Sequence, residues 1–304
     1  MPELYVPARL EDALGFMAEH AGFAMPIAGG TDVLIDTRIG RATPEWLVDL
    51  SPLEALAGLA FDGETLRIGA LTRIRTIELD AEVARRAPAV VEAARVIGSV
   101  QIRTMATVGG NICHATPSAE MPPALLVHDA VAAVAGPDGE RSLPLSELFS
   151  GPGKTTLKNS ELLTAVTLRA RKERSGSCYL RQTVRWSMDL AGVGVAAAVE
   201  TDGVVVTGAR VALCAVAPVP LLVAGAADAV VGTELTTETA AEAGARAAAA
   251  CSPITDARGT AEYRRQVVAV LVARALRIAW LRATGQWPAG VPAPINGVLS
   301  GEGG

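Results

Sequence analysis

A chain of 304 residues is longer than the usual single domain, so two or three compact units are expected. Half of the residues are hydrophobic, yet no run of about 18 apolar residues occurs and Met1-Pro2-Glu3 lacks the basic start and apolar stretch of a secretion signal. The expectation is a soluble, cytoplasmic protein with no membrane span. Lysine and arginine total 27 against 32 acidic residues, a net charge of −5 with no basic block, which argues against nucleic acid as a partner. The four cysteines, Cys113, Cys178, Cys214 and Cys251, lie far apart with no C-x-x-C or cysteine-histidine spacing. They read as reduced thiols, mostly core, and not as a disulfide framework, an iron-sulfur site or a metal site.

Along the chain, Leu10 to His20 carries apolar residues at helical spacing and is followed by Gly22, a favoured helix terminator. Met25 to Ala28 reads as a strand that stops at Gly29-Gly30, and Trp46 to Leu50 as another before Ser51-Pro52. These make a small α/β unit over residues 1–53. In a second unit, 54–172, Thr65 to Gly69 alternates like a strand, Ala81 to Ile97 reads as a helix interrupted by Pro88, and Val131 to Ala135 and Leu162 to Leu168 read as strands. Gly136-Pro137-Asp138-Gly139 has hairpin-turn chemistry and Gly151-Pro152-Gly153 marks a loop. The charged stretch Arg169 to Gly176 is the linker expected from composition. Beyond it, a third unit over 177–285 has strands Val193 to Val199 and Val204 to Leu213 around Thr201-Asp202-Gly203, then helices Glu238 to Ala250 and Ala261 to Ala283. The Pro/Gly-rich tail 286–304 is expected to be a flexible end or an arm laid on a partner. No internal repeat is visible.

Two segments carry the chemical signal: Ile27-Ala28-Gly29-Gly30-Thr31-Asp32 and Thr107-Val108-Gly109-Gly110-Asn111. Paired glycines permit positive φ and let backbone N–H groups approach an anion, while Thr and Asn add donors, so two such loops suit a pyrophosphate. A single Gly-Gly after a strand is more often an ordinary turn. Neither segment is a G-x-G-x-x-G or a G-x-x-x-x-G-K-[ST] motif, so the nicotinamide and nucleotide-triphosphatase signatures are missing.

The second segment continues as Asn111-Ile112-Cys113-His114-Ala115-Thr116-Pro117-Ser118-Ala119-Glu120-Met121-Pro122-Pro123-Ala124. With the first, it resembles the flavin-carrying medium subunits of molybdenum hydroxylases, a family that includes carbon monoxide dehydrogenase medium chains and the xanthine dehydrogenase flavin domain. The resemblance runs on through Gly139-Glu140-Arg141, Pro144-Leu145, Glu161-Leu162-Leu163, Asp189-Leu190-Ala191 and Ala261-Glu262-Tyr263-Arg264-Arg265, and so spans nearly the whole chain. It implies an α+β protein: a two-subdomain FAD-binding fold of the vanillyl-alcohol-oxidase (PCMH) type over 1–172, then a C-terminal domain with an antiparallel sheet and helices.

The resemblance also implies that Ile27 to Asp32 and Thr107 to Asn111 embrace the FAD pyrophosphate, and that Thr116 and Glu120 contact ribityl or ribose hydroxyls. Leu163 or its neighbour Leu162, and the turn Asp189 to Gly192, match places near the adenine or isoalloxazine. Glu120 stands where aspartate is commoner, and Thr104 follows Arg103 where the family often has Asn. FAD would reside in this chain, with a molybdenum-pterin cofactor in a large subunit and two [2Fe-2S] clusters in a small one, as a dimer of heterotrimers. This chain would pass electrons from those clusters to an external acceptor. No cysteine group lies between Asp129 and Ser160, which argues against the branch that carries an extra cluster in this subunit.

The alternative is a stand-alone FAD oxidoreductase acting on a small molecule, for which no acid-base pair is evident. A further alternative is a cofactor-free scaffold, against which the intact glycine segments speak. His114 reads as a loop histidine with no carboxylate partner placed by the motif, and Cys113 as a small filler. His20 and His128 read as structural. Asp32 and Asp36 read as a solvated helix face, and Tyr263-Arg264-Arg265 as either a partner-docking surface or an ordinary helix surface.

Overall fold

The computed structural model describes residues 2–169, 173–185, 188–288 and 291–296. The first unit is a three-stranded parallel sheet of β1 (Glu3–Tyr5), β2 (Ala24–Ile27) and β3 (Trp46–Asp49), with β3 in the middle. Helix α1 (Leu10–Glu19) buries Ala13, Leu14 and Met17, its apolar stripe. Tyr5 and Phe16 stack at 3.9 Å between centroids and His20 stacks on Phe16 at 4.1 Å, so His20 is structural. Helix α2 (Val33–Arg38) follows the first glycine segment and buries none of its residues.

The second unit opens with the hairpin β4 (Leu59–Asp62) and β5 (Thr65–Gly69). Six short helices follow: α3 (Ile74–Leu79), α4 (Ala81–Arg86), α5 (Pro88–Val96), α6 (Val100–Met105), α7 (Val108–Cys113) and α8 (Met121–Leu126). Pro88 divides α4 from α5 because it has no N–H to continue the ladder, but it is well placed in the first turn of α5. Strands β6 (Val131–Gly136) and β7 (Gly139–Pro144) form the hairpin expected at Pro137-Asp138, and β8 (Phe149–Gly151) pairs with β9 (Lys154–Thr155) around Pro152. Strand β10 (Leu162–Arg169) completes an antiparallel sheet ordered β4-β5-β10-β6-β7. Leu66, Ile68, Ile74, Ile77, Met121 and Leu125 are fully buried between sheet and helices.

The third unit is the antiparallel sheet β11 (Ser175–Gln182), β12 (Val193–Thr201), β13 (Val206–Cys214) and β14 (Leu221–Leu222), with α9 (Ala224–Asp228), α10 (Thr237–Ala250) and α11 (Ala261–Ala283). Strand β11 occupies part of the expected linker: the stretch expected to run to Gly176 gives way to strand at Ser175. The reason is packing. A Cβ on Gly176 would lie 2.2 Å from the Ala279 carbonyl oxygen, so α11 can approach this closely only over glycine. Both faces of β11 are covered: Cys178 and Leu180 belong to the core beneath α10 and α11, and Tyr179 to the core of the second unit.

The units are joined by buried charge. Glu92 on α5 accepts from Arg282 on α11 at both oxygens, at 3.2 and 2.6 Å, from the Tyr179 N–H at 2.9 Å and from the Ala293 N–H at 2.6 Å. Its donors thus come from β11, α11 and the tail. The tail expected to be flexible or laid on a partner is, over 291–296, laid on this chain instead. The Arg181 N–H donates to the Ile295 carbonyl at 2.9 Å and Arg274 to that of Asn296 at 3.0 Å. Residues 297–304 of that tail lie outside the described residues. A second joint runs through His128: Nδ1 donates to the Arg169 carbonyl and Nε2 meets the Ser177 hydroxyl, each at 3.0 Å, while that hydroxyl accepts from the Ala89 N–H at 3.2 Å.

Arg282→Met keeps the stem and removes the charge, stranding a buried carboxylate. It should lower unfolding free energy by about 3–5 kcal/mol, read as a fall in the urea midpoint. Burial, opposed by the Arg169 carbonyl and Asp129, lowers the His128 imidazole below its ordinary value. The contribution of neutral His128 to stability is therefore full above pH about 6.5 and is lost as pH falls below it, because the unfolded chain takes up the proton first. His128→Gln, which cannot titrate, should flatten that acid limb. Unchanged acid limbs in the two proteins would refute the assignment.

Candidate functional site

The first glycine segment leaves β2 at Ile27 and turns over Ala28 to Asp32 into α2. The N–H groups of Gly29, Gly30, Thr31 and Asp32 have no acceptor among the described residues. Gly30 sits at φ +69°, a left-handed conformation of the kind from which anion-attracting nests of backbone N–H groups are built. Gly29 is fixed for another reason: a Cβ there would lie 2.1 Å from the Met105 carbonyl oxygen, where the segment crosses the end of α6.

The second segment is not the open loop that its glycines suggest. Thr107 is the N-cap of α7, accepting from the Gly110 N–H at 3.1 Å, and the Val108 and Gly109 N–H groups donate to the carbonyls of Thr72 at 3.0 Å and Ala70 at 2.8 Å. Gly109 and Gly110 have no positive φ. Gly109 is glycine because a Cβ would meet Ala70 at 2.8 Å; Gly110 is exposed and leaves bare backbone at the surface. The Asn111 Oδ1 atom is sealed from solvent without a partner, an unmet acceptor beside this turn.

The placement of α7 rests on ionic contacts that the motif does not contain. Arg103 on α6 grips Glu78 on α3 at 2.6 and 3.2 Å and donates to the Ile97 carbonyl at 2.9 Å. The Arg73 guanidinium donates to the Met105 carbonyl, and the Ile74 N–H to that of Ala106 at 2.9 Å. Thr104 turns its hydroxyl back onto the Val100 carbonyl at 2.8 Å and is a helix-surface residue.

The two segments meet across a cleft of about 250 Å³ between the first and second units, lined by Ala28, Leu53, Ala57, Thr72, Arg73 and Thr107. Beside it His114, at the end of α7, places Nε2 3.0 Å from Asp36 Oδ2 and Nδ1 3.9 Å from Asp32 Oδ1. The motif supplied no carboxylate for His114; α2 supplies two. The His114 hydrogen bond, with burial opposing and Arg41 assisting, holds the Asp36 carboxyl below the usual carboxylate range. Asp32 and Asp36 are thus no mere solvated face. A larger cavity of about 430 Å³, lined by His128, Arg169 and Arg210 among others, touches neither glycine segment.

Other expected residues lie elsewhere. Thr116 is half-buried in the turn after α7. Glu120 is buried, and its Oε1 accepts from Arg181 of β11 at 2.6 Å, with both side chains almost sealed. Burial pushes its carboxyl up to about 7 against the pull of Arg181. Glu120 thus forms a joint to the C-terminal sheet. Leu163 is buried in β10 opposite Val134, Leu162 is buried in the core of the first unit, and neither lines the cleft. Asp189 folds its own turn, accepting from the N–H groups of Val184, Arg185 and Leu190 at 2.9–3.0 Å. Of the C-terminal motif, Tyr263 is exposed, while Arg264 is buried against Asp256 at 2.5 Å and the Ala215 carbonyl at 2.9 Å.

A cleft between two α/β units, with Ala28 of the first glycine segment and Thr107 of the second on its lining and a separate sheet-and-helix domain alongside, is an architecture suited to a dinucleotide cofactor. The comparisons agree. Residues 1–168 match the FAD binding domain in molybdopterin dehydrogenase, and residues 178–279 the CO dehydrogenase flavoprotein C-terminal domain. The carbon monoxide dehydrogenase medium chain of Hydrogenophaga pseudoflava is 31% identical over 280 residues, 92% of this chain and 97% of that one. The xanthine dehydrogenase FAD-binding subunit of Escherichia coli O157:H7 is 36% identical over 217 residues, 70% and 74% of the two. Among solved structures, a carbon monoxide dehydrogenase from Hydrogenophaga pseudoflava lacking the Mo-pyranopterin moiety superposes with TM-score 0.90 at 31% identity over 92% of this chain and 98% of that chain. Quinoline 2-oxidoreductase from Pseudomonas putida 86 gives 0.87 at 26% identity, over 93% and 98%.

The chain belongs to the family of FAD-binding subunits of the molybdenum hydroxylases. It is the flavoprotein component of an oxidoreductase, and its kinship with medium chains implies a large and a small partner subunit. Among the described residues no helix is long and apolar enough to cross a membrane. Because the Gly29 contact is to backbone, no neighbouring side chain can swing away from a new Cβ. Gly29→Ala should cost about 1–3 kcal/mol in the FAD-free chain, measured by urea unfolding.

Proposed function

We propose that the nest at Gly29 to Asp32 and the turn at Thr107 to Asn111 hold the FAD diphosphate between the two N-terminal units. The observation that carries this reading is the run of four partnerless N–H groups around Gly30, which follows directly on Ala28 at the edge of a cleft that Thr107 also lines. Because the α7 amides are already satisfied, the second segment contributes shape, with Gly110 offering bare backbone. Arg73, lining the same cleft, adds a positive charge there. When bound, FAD supplies the redox chemistry, taking electrons from iron-sulfur clusters of the small partner and giving them to an external acceptor. This chain binds, shields and orients it, within a cytoplasmic dimer of heterotrimers whose large subunit holds the molybdenum-pterin cofactor.

The test is in two arms. The purified chain should be yellow and release FAD, not FMN, on denaturation. Under anaerobic conditions, its visible spectrum should bleach when the prereduced iron-sulfur subunit is added and should not respond to carbon monoxide, xanthine or quinoline alone. A colourless chain that cannot be reconstituted with FAD would overturn the cofactor site. Bleaching by one of those small molecules without a partner would replace the relay by a stand-alone oxidoreductase.

A further inference from the structure

Helix α2 is loosely held by its own unit. None of its residues is buried, and Leu34 and Ile35 are each more than half exposed. Yet α2 continues directly from the nest, so its orientation sets where the Gly30 to Asp32 amides point. Across the cleft, α7 continues from Thr107 and ends at His114, whose ring reaches back to α2. Asp36 is the receiving group and also the joint on which the end of α2 turns. Its carboxylate accepts from Arg41 at 2.7 Å, and its carbonyl accepts the N–H groups of Arg41 and Ala42 at 2.8 and 3.2 Å.

Charge adds to the argument. Asp32 and Asp36 set two carboxylates beside a segment that must receive a doubly charged diphosphate, a repulsive arrangement unless donors face them. Besides the Thr31 hydroxyl, which donates to Asp32 at 3.4 Å, the ionisable groups that do so are Arg41, from beyond the end of α2, and His114, from α7. His114 alone of these two connects the elements that carry the two glycine segments.

We propose that His114 is a positioning residue for FAD: by bonding Asp36 and facing Asp32 it locks α2 to α7, fixes the spacing of the two glycine segments and turns both carboxylates away from the diphosphate. The inference rests on the FAD site proposed above and adds to it a residue outside the glycine segments. His114 touches no part of the cofactor in this role; it acts through α2.

The experiment titrates FAD back into the full-length chain after its removal, following flavin fluorescence, and records thermal melting of each FAD-free variant by circular dichroism. His114→Ala should weaken FAD binding roughly ten- to a hundredfold, the loss of one hydrogen bond to a charged group. His114→Gln, which keeps a donor for Asp36, should recover most of that affinity. Asp36→Ala, which removes the acceptor for His114, should weaken binding in the wild-type background and add little to His114→Ala, since the two side chains act as one unit. Wild-type affinity in His114→Ala would overturn the proposal, even with a lowered melting temperature, as would independent losses in the double variant or a glutamine no better than alanine. Should His114→Ala fail to fold, wild-type affinity in Asp36→Ala would overturn it alone. A wild-type chain that binds no FAD would instead sink the cofactor site itself.

Discussion

The arrangement of this molecule depends on one buried carboxylate. Glu92 sits in the middle of α5, on the face that meets the C-terminal sheet, where an ionised carboxyl is tolerable only if its lone pairs are met. They are met from three directions: Arg282 of α11, the Tyr179 amide of β11 and the Ala293 amide of the tail. A hydrophobic pair of similar size would hold the domains together as firmly, but could not require three separate elements to arrive in register. The glutamate thus selects one relative placement of the domains, and Glu120 with Arg181 and His128 with Ser177 repeat the device at other points of the same seam.

That placement matters to the cleft because β11 and α5 form the floor on which the second unit stands. Helix α5 packs on α3, and α3 is tied through Glu78 to Arg103, whose helix leads straight into Thr107. Rigidity passes in this way from the domain seam to Thr107 at the cleft, while α2, which follows the first glycine segment, has almost no apolar anchorage. One is set by the core and the other by polar contacts.

Much of this was legible in the sequence. Strands and helices with clear periodicity, such as α1, β5 and α11, fall where their apolar spacing puts them, and Pro88 divides α4 from α5 as its missing N–H dictates. Strand β11 was hidden because Ser175-Gly176-Ser177 is small and polar and both faces are covered, so neither alternation nor an apolar run marks it. The glycine segments were found, but they do different physical work: of the four glycines only Gly30 uses positive φ, while Gly29 and Gly109 make room for backbone or a neighbouring alanine. The partners of Glu92, Glu120 and His114 lie 190, 61 and 78 positions away, and no local pattern announces pairings at such range.

The span between Glu92 and Arg282 also has a meaning in time. A ribosome adding about 5–20 residues per second completes α5 roughly 10–40 s before it reaches the guanidinium that α5 awaits. Until Tyr179 is made the carboxylate has only water to meet it, and until Arg282 follows it gains from protein no more than that one amide, so the face of α5 that carries it must stay hydrated. The N-terminal units can collapse on their own apolar interior, but the seam stays wet until α11 leaves the exit tunnel. Closing the seam therefore waits for α11.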